Sequence, residues 1–132
     1  GGKMAYSTDG ITWTSISQST FTSNIQSVCY GNGKFIAGGA SGKMAYSTDG
    51  INWTSISQSI TTNNWDSLCY GDGKFIAGEY YGKMAYSLDG ITWTEIAQSV
   101  FNNRIESLIY ANGKFWAGDH NGNAAYSQVA IP

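Results

Sequence analysis

Three acidic turns hold the residues of this chain whose type and spacing could carry chemistry. Each turn has a serine, an aspartate two positions later, a glycine directly after the aspartate, and a tryptophan three positions beyond the glycine. A carboxylate in such a turn could bind a cation or transfer a proton. The turn residues are Ser7, Asp9, Gly10 and Trp13, then Ser47, Asp49, Gly50 and Trp53, then Ser87, Asp89, Gly90 and Trp93.

We predict a structural role for these three aspartates. An aspartate in a turn accepts hydrogen bonds from backbone N–H groups of its own turn, and the glycine supplies a backbone conformation that residues with a Cβ avoid. Identical turns on successive repeats splay outward, so their carboxylates do not converge on one substrate or metal ion. The tryptophans are expected to bury their rings in the seams between repeats.

The acidic turns belong to a unit of about 40 residues that is written three times. The segment GKMAYSTDGITWTSISQ begins at Gly2 and returns almost unchanged at Gly42 and Gly82. A unit of this length that is dense in Gly, Ser, Thr, Tyr and Trp, and that lacks helical periodicity, is typical of one four-stranded blade. The sequence therefore predicts an all-β fold, a β-propeller whose blades are four antiparallel strands.

Each predicted blade has four short strands, A to D, separated by tight turns. In the first complete unit they cover residues 25–30, 34–38, 43–47 and 52–56. The chain begins with strands C and D and stops after strands A and B with a remnant of C. The predicted divisions of this single array are a half blade at 1–24, blades at 25–64 and 65–104, and a partial blade at 105–132.

The acidic turns resemble the Asp-box, or bacterial neuraminidase repeat, Ser-x-Asp-x-Gly-x-Thr-Trp. In the family this box links the third and fourth strands of blades in sialidases and in many non-enzymatic propellers. Here Asp and Gly are adjacent, one residue closer than in the family pattern. The sialidase active site needs an arginine triad, whereas this chain has the single arginine Arg104. We therefore expect no catalytic residues and no enzyme activity, with glycoside hydrolysis as the least favoured function.

Differences between the copies gather in the B–C turns and in the D–A loops. Both connections emerge on one face of a four-stranded blade, and binding residues usually lie on loops of a rigid scaffold. Exposed aromatics beside amides suit a sugar ring, so lectin-like carbohydrate recognition is one hypothesis, and neutral drift at exposed positions is the other. The candidate ligand-binding residues are Tyr80, Tyr81, Asn63, Asn64, Trp65, Arg104, Asp119, His120 and Asn121.

Two tryptophans of the variable set have a second interpretation. Trp65 replaces Ile25 and Ile105, and Trp116 replaces Ile36 and Ile76, so both are also expected to fill gaps in the core. The same comparison treats the cysteine position as an apolar socket, because the third copy carries isoleucine there. We therefore expect free, buried thiols.

Three blade equivalents cannot close a ring alone, since complete propellers have about four to eight blades. We predict that two chains assemble head to tail into a six-bladed homodimer, each lending strands C and D to the other. A trimer with nine blades and a fragment of a longer propeller are the alternatives, and a structural or engineered scaffold with self-assembly as its main activity is the alternative function.

Charge and composition exclude several classes of partner. The formal net charge is −2, and the lysines recur at two fixed repeat positions, so there is no basic patch for nucleic acid. No apolar run has the length of a membrane span, and the 132-residue sequence contains no signal-peptide pattern. We expect no cofactor and no metal, because His120 beside Asp119 is better explained as a solvated loop residue.

Overall fold

The computed structural model describes residues 2–17, 20–57, 60–97 and 99–127. Within these ranges the chain forms thirteen β-strands and one short 3-10 turn, Ala40–Gly42. No helix in the described ranges is long and apolar enough to cross a bilayer. The strands are β1 (Met4–Tyr6), β2 (Thr14–Ile16), β3 (Ile25–Gly31), β4 (Lys34–Gly39), β5 (Met44–Ser47), β6 (Thr54–Ser55), β7 (Trp65–Gly71), β8 (Lys74–Glu79), β9 (Met84–Ser87), β10 (Thr94–Ile96), β11 (Ile105–Ala111), β12 (Lys114–Asp119) and β13 (Ala124–Tyr126).

The strands form antiparallel meanders in chain order. We name them the N-terminal hairpin (β1–β2), sheet I (β3–β6), sheet II (β7–β10) and sheet III (β11–β13). In chain order these sheets have two, four, four and three strands. The all-β prediction is confirmed, and the remnant of strand C in the last repeat is a paired strand.

Tight hairpins set the register of each sheet. In sheet I, Tyr30 lies opposite Phe35 and Gly31 opposite Lys34, which leaves two residues to close the turn. Those residues, Asn32 and Gly33, have φ of 49° and 76°. Two consecutive positive φ values match the right-handed twist of paired strands, and Asn-Gly adopts them readily. The turn residues therefore fix which side chains share a face.

The first strands of sheets I, II and III pack side by side through glycine. A Cβ on Gly31 would lie 2.0 Å from Cγ of Tyr70, and one on Gly71 would lie 2.1 Å from Cγ of Tyr110. Each tyrosine of one sheet thus lies directly over the backbone of the preceding sheet. The third repeat has alanine, Ala111, at this position, and Ala111 is exposed.

The main core fills the seam between sheets I and II. Ile36 of sheet I is fully buried and packs in one cluster with Phe75 and Trp93 of sheet II, which are 0% and 3% exposed. A second cluster joins sheets II and III around Ile105 and Leu108. Full burial of such side chains contributes about 1.5–3 kcal/mol each, so the seams stabilise the array.

Burial of the box tryptophans follows the presence of a preceding sheet. Trp93 is buried between sheets, Trp53 is half-buried beside the N-terminal hairpin, and Trp13 is 61% exposed because none of the described sheets precedes the hairpin. Trp65 fills the core as expected, at 2% exposure. The same expectation for Trp116 is wrong: it is 38% exposed, since no sheet covers the outer side of sheet III.

Candidate functional site

Backbone hydrogen bonds join each B–C turn to the D–A loop that precedes its sheet. The amide of Ala40 donates to the carbonyl of Asn24, and the amide of Tyr80 donates to that of Asn64, at 2.9 and 3.0 Å. In the third repeat, His120 donates to Arg104 at 2.9 Å. These connections therefore lie together along one edge of the array. We call this edge, with turns 39–43, 79–83 and 119–123, the loop face.

Glycine permits a further close contact at the loop face. Gly82 has a φ of +92°, and a Cβ there would lie 2.4 Å from the carbonyl oxygen of Phe101. Only glycine combines this φ with such an approach. The B–C turn of sheet II and the D–A loop that leads into sheet III are thereby packed backbone to backbone, which gives any binding side chains a fixed base.

A buried carboxylate organises the B–C turn of sheet II. Glu79 is 1% exposed, and Thr61 donates to its Oε2 at 2.6 Å, with Asn63 Nδ2 at 3.3 Å. Its Oε1 accepts from the backbone amides of Tyr81 and Lys83 at 3.0 and 3.4 Å. A buried charge is tolerated when hydrogen bonds surround it in this way. Glu79 is therefore committed to holding the turn.

Asp119 has the same role in the third repeat. Its Oδ1 accepts from the amides of Asn121 and Asn123 at 3.0 and 2.8 Å, and its Oδ2 accepts from Asn123 Nδ2 at 3.0 Å. These hydrogen bonds, led by the Asn123 side chain, hold the pKa of Asp119 below its ordinary value. The carboxylate is thus occupied within its own turn.

Arg104 is the centre of a charged cluster between sheets II and III. Its Nε lies 3.1 Å from Oδ2 of Asp66, and its Nη2 donates to Oδ1 at 3.4 Å. The same Nε lies 3.7 Å from Oε1 of Glu106, which is 3.3 Å from Nδ1 of His120. The Asp66 side chain is 2% exposed, and its burial raises its pKa while Arg104 opposes that rise. Two carboxylates therefore surround one guanidinium.

An aromatic pair covers this cluster on the solvent side. The rings of Tyr80 and Tyr81 meet edge to face with centroids 5.0 Å apart, and the guanidinium of Arg104 lies 5.4 Å from the Tyr80 centroid. The tyrosines are 42% and 62% exposed. Together they border a hollow of about 160 Å³, whose lining is Tyr80, Tyr81, Asn102, Asn103, Arg104 and His120.

The predicted ligand-binding residues divide into two groups. Tyr80, Tyr81, Arg104 and His120 border one hollow. The others do not: Trp65 is buried in the core, Asn64 accepts the amide of Ser41 at 3.3 Å and that of Tyr80, and Asp119 and Asn121 bond to each other. Direct ligand contact by Trp65 is excluded by its burial.

Sequence reasoning missed four residues of the site. Asn102 and Asn103 line the hollow, and their only sequence signal is their position in a D–A loop beside Arg104. Asp66 and Glu106 hold the guanidinium, but they lie in strands β7 and β11 of different sheets. No spacing in the sequence pairs a residue with one 38 positions away on another sheet.

Hydrogen bonds to the aspartate hold each acidic turn together. In the second copy, Ser47 Oγ donates to Asp49 Oδ1 at 2.9 Å, and the same oxygen accepts the amides of Ile51 and Asn52 at 2.8 Å each. The amides of Asn52 and Ile51 are the largest causes that hold the pKa of Asp49 well below its ordinary value. The first and third copies show the same Asp-centred pattern at Asp9 and Asp89. These carboxylates are satisfied within their own turns.

Histidine, cysteine and acidic side chains of the described ranges form neither a metal site nor a disulfide. In the described ranges no three or more His, Cys, Asp or Glu residues gather closely enough to hold a metal ion. Both cysteines are free, as predicted, with Cys69 buried and Cys29 half-buried. Burial raises the thiol pKa of each to about 12. Neither sulfur is a candidate nucleophile at neutral pH.

Comparison with known proteins bears on the fold alone. The sequence matches no protein-family model, and no curated protein matches it. Two solved structures have this arrangement of sheets at 13% sequence identity over 81% of the chain: YCF48 bound to D1 peptide, with a TM-score of 0.71, and the WD40 β-propeller domain of Doa1, with a TM-score of 0.63. The fold is that of a β-propeller.

The similarity to propeller structures identifies each sheet as a propeller blade. The chain covers 37% of the YCF48 chain and 38% of the Doa1 chain, so it resembles part of each. In propellers the sheets are blades around a central axis, and the contacts of β3 with β7 and of β7 with β11 agree with neighbouring first strands along that axis.

Proposed function

We propose that this chain is a non-catalytic binding module that recognises a neutral carbohydrate at the hollow between sheets II and III. The observation that carries the proposal is the exposed Tyr80–Tyr81 pair beside the side chains of Asn102 and Asn103. Ligand sites typically combine aromatic surface with a few convergent polar groups. Here both are present on a loop face whose backbone is fixed.

The tyrosines supply the apolar half of such a site. Tyr81 is 62% exposed, and Tyr80 meets it edge to face, so one ring can take the C–H face of a sugar while the other forms a wall. Aromatic side chains lose little conformational entropy on binding, because they have two χ angles. The paired rings therefore form a pre-organised platform beside the asparagine amides, which can donate to and accept from sugar hydroxyls.

Local charge favours a neutral ligand. Arg104 is already paired with Asp66 and Glu106, so its positive charge is not available to an anionic ligand. An added carboxylate or phosphate would meet two carboxylates around one guanidinium, and like charges at short range are unfavourable. A neutral hexose is thus a better fit than a sialic acid.

The carboxylates near the hollow support a non-catalytic role. Glycoside hydrolysis requires an acid and a second carboxylate facing the scissile bond. Glu79 and Asp119 are occupied by turn amides, and Asp66 is buried against Arg104. We also propose that the three acidic turns are compact relatives of the Asp-box, supported by the Ser–Asp hydrogen bonds in each copy.

A glycan array followed by calorimetry tests the binding site. We expect saturable binding of a neutral glycan, and loss of about tenfold or more in affinity in a Tyr80→Ala, Tyr81→Ser variant. This variant copies the Ala40–Ser41 sequence of the first repeat, so the turn remains compatible with the fold. Leu88→Ala is the matched control, because Leu88 is also 62% exposed but lies in an acidic turn.

Two results would overturn the carbohydrate proposal. One is silence across the array at millimolar glycan. The other is binding of anionic glycans or of peptides that is insensitive to the tyrosine variant, because either outcome would place recognition elsewhere. Circular dichroism of both variants confirms that the comparison is made between folded proteins.

A further inference from the structure

The two ends of the array expose the two faces that pack against each other inside it. Leu68 of sheet II faces sheet I and is 8% exposed, whereas its equivalent in sheet I, Val28, is 50% exposed. On the opposite face, Ile76 is 7% exposed and its equivalent in sheet III, Trp116, is 38% exposed. The exposed face of sheet I and that of sheet III therefore match the two sides of an internal seam.

Sheets I and II each contain a phenylalanine–tryptophan pair, whereas sheet III has only the phenylalanine of this pair and the N-terminal hairpin has only the tryptophan. In sheet II, Phe75 and Trp93 have centroids 6.5 Å apart, and the same pair in sheet I is 6.4 Å apart. In sheet III, Phe115 contacts Tyr110 at 4.8 Å, but no box tryptophan follows it. Trp13 of the N-terminal hairpin is a box tryptophan with no phenylalanine before it, and it is 61% exposed.

The N-terminal hairpin already holds the place of strands C and D. A Cβ on Gly2 would lie 2.3 Å from the carbonyl oxygen of Phe21, the same contact that Gly82 makes with Phe101 at 2.4 Å. β1 pairs with β2 alone, whereas the third strand of sheets I and II pairs on both edges. A cavity of about 580 Å³ lies between this hairpin and sheet I, where strands A and B would be.

We propose that β11 and β12 of a second copy of this chain pair with the open edge of β1, so that side chains of these strands enter that cavity. The copies then join head to tail, and β11, β12 and the hairpin β1–β2 of the neighbouring copy form one four-stranded sheet. Phe115 of one copy gains Trp13 of the partner subunit, and Trp116 packs against the face that carries the partner's Val28. Each exposed group thereby acquires the neighbour that its internal equivalents have.

Strand β13 is the element that this assembly displaces. It pairs with β12 through Trp116–Tyr126 and Ala117–Ala125, the register of Ile76–Tyr86 in sheet II. β1 of the partner would take the same edge of β12, so the two strands compete. β1 carries Met4 where β13 has Ala124, and it continues into a box turn and β2, so exchange buries more apolar surface.

Strand arithmetic sets the number of copies. With β13 displaced, the described part of each 132-residue chain supplies the twelve strands β1 to β12, which make three sheets of four. Two copies close a ring of six, within the range of about four to eight blades that propellers use, whereas three copies would make nine. The structure therefore points to a cyclic dimer with two identical joints.

One residue makes the joint differ from the internal seams. Gly31 and Gly71 let the tyrosine of the next sheet lie on the backbone, but the equivalent at the joint is Ala111. Its Cβ holds Tyr30 of the partner subunit farther from β11 than Tyr70 lies from β3. Ala111→Gly is consequently expected to tighten the dimer.

Native mass spectrometry and light scattering of the 132-residue chain test the assembly. We expect the mass of two chains at micromolar concentration, and single substitutions at the joint should weaken the dimer. Trp13→Ala should raise the dimer dissociation constant by at least about tenfold. Thr8→Ala is the matched control in the same turn, because Thr8 is exposed and its internal equivalents Thr48 and Leu88 are exposed as well.

Two further variants make the mechanism falsifiable. Deleting residues 124–132 should lower the dissociation constant, because it removes the competing strand, and Ala111→Gly should lower it as well. A folded monomer at micromolar concentration, a trimer, or a dimer that Trp13→Ala leaves unchanged would each overturn the proposal. The hollow proposed to bind a glycan lies between sheets II and III of one chain. Glycan binding and the assembled mass therefore test the two proposals independently.

Discussion

Thr61 donates a 2.6 Å hydrogen bond to the carboxylate of Glu79, and this contact ties the D–A loop before sheet II to the B–C turn within it. The same carboxylate accepts the amide of Tyr81 at 3.0 Å. The position of the exposed aromatic pair therefore depends on a buried acid that does not line the hollow.

Removal of this acid should destabilise the protein and weaken binding together. Glu79→Ala removes the carboxylate that accepts the Thr61 hydroxyl and the Tyr81 amide, and loss of a buried hydrogen-bond partner costs about 1–3 kcal/mol. Chemical denaturation should show this loss in the free energy of unfolding. Glu95→Ala is the control, since the Glu95 side chain is 51% exposed, and a change equal to that of Glu79→Ala would contradict the assigned role.

The close approach at Gly82 can be separated from its positive φ. Gly82→Ala places a methyl group 2.4 Å from the carbonyl of Phe101, whereas Gly113→Ala meets nothing within 4 Å at a φ of +77°. Both variants bear the strain of a left-handed alanine, about 1–2 kcal/mol. Thermal unfolding should show a larger loss for Gly82→Ala, and equal losses would show that the backbone contact adds nothing.

The seam between sheets I and II should depend strongly on Trp93. Trp93→Ala removes a ring that is 3% exposed, and a buried large-to-small change of this kind costs about 3–5 kcal/mol. The exposed Leu88 in the same turn provides the comparison, and Leu88→Ala should stay within about 0.5 kcal/mol. Similar unfolding midpoints for the two variants would argue against a packed seam.

Acid should weaken the stapled turns. The pKa values of Asp9, Asp49 and Asp89 are lowered, chiefly by the backbone amides at Thr12, Asn52 and Thr92. A lowered pKa gives stability that is present above the unfolded-state value, about 3.9, and is lost as pH falls through the folded-state value. Asp49→Asn should therefore narrow the difference in melting temperature between neutral pH and acid. An unchanged difference would contradict the linkage.

Both thiols should be inert in the native protein. Burial raises the pKa of Cys29 and Cys69 to about 12, so little thiolate is present at neutral pH. A thiol-reactive disulfide reagent should label neither cysteine until the protein is unfolded with guanidinium chloride. The exposed variant Asn112→Cys gives the reference rate, and native labelling at that rate would contradict the burial of both sulfurs.

The fold was predictable because local and repeated signals agree. Asn32–Gly33 and its equivalents in the other copies fix the first hairpin of each sheet, and the acidic turns fix the last. The site was predictable in part: the differences between copies identified Tyr80 and Tyr81. The Arg104–Asp66 pair was not, because it joins residues on two sheets.

Trp116 shows why burial cannot be transferred from one repeat to the next. Its equivalents Ile36 and Ile76 are 0% and 7% exposed because a further sheet covers each of them. The residue type at position 116 suits a covered face, but cover depends on what lies beyond sheet III. The residue type at an equivalent position therefore does not determine whether another sheet packs against it.

The link between each B–C turn and the preceding D–A loop is made by main-chain atoms, at Ala40–Asn24, Tyr80–Asn64 and His120–Arg104. Because main-chain atoms make these three hydrogen bonds, the bonds form equally where one turn presents Ala-Ser, another Tyr-Tyr and a third His-Asn. The loop face thus combines a constant backbone attachment with side chains that vary from turn to turn. Exchange of the two residues in one B–C turn is therefore expected to change the surface that the turn presents while the backbone hydrogen bond to the D–A loop is kept.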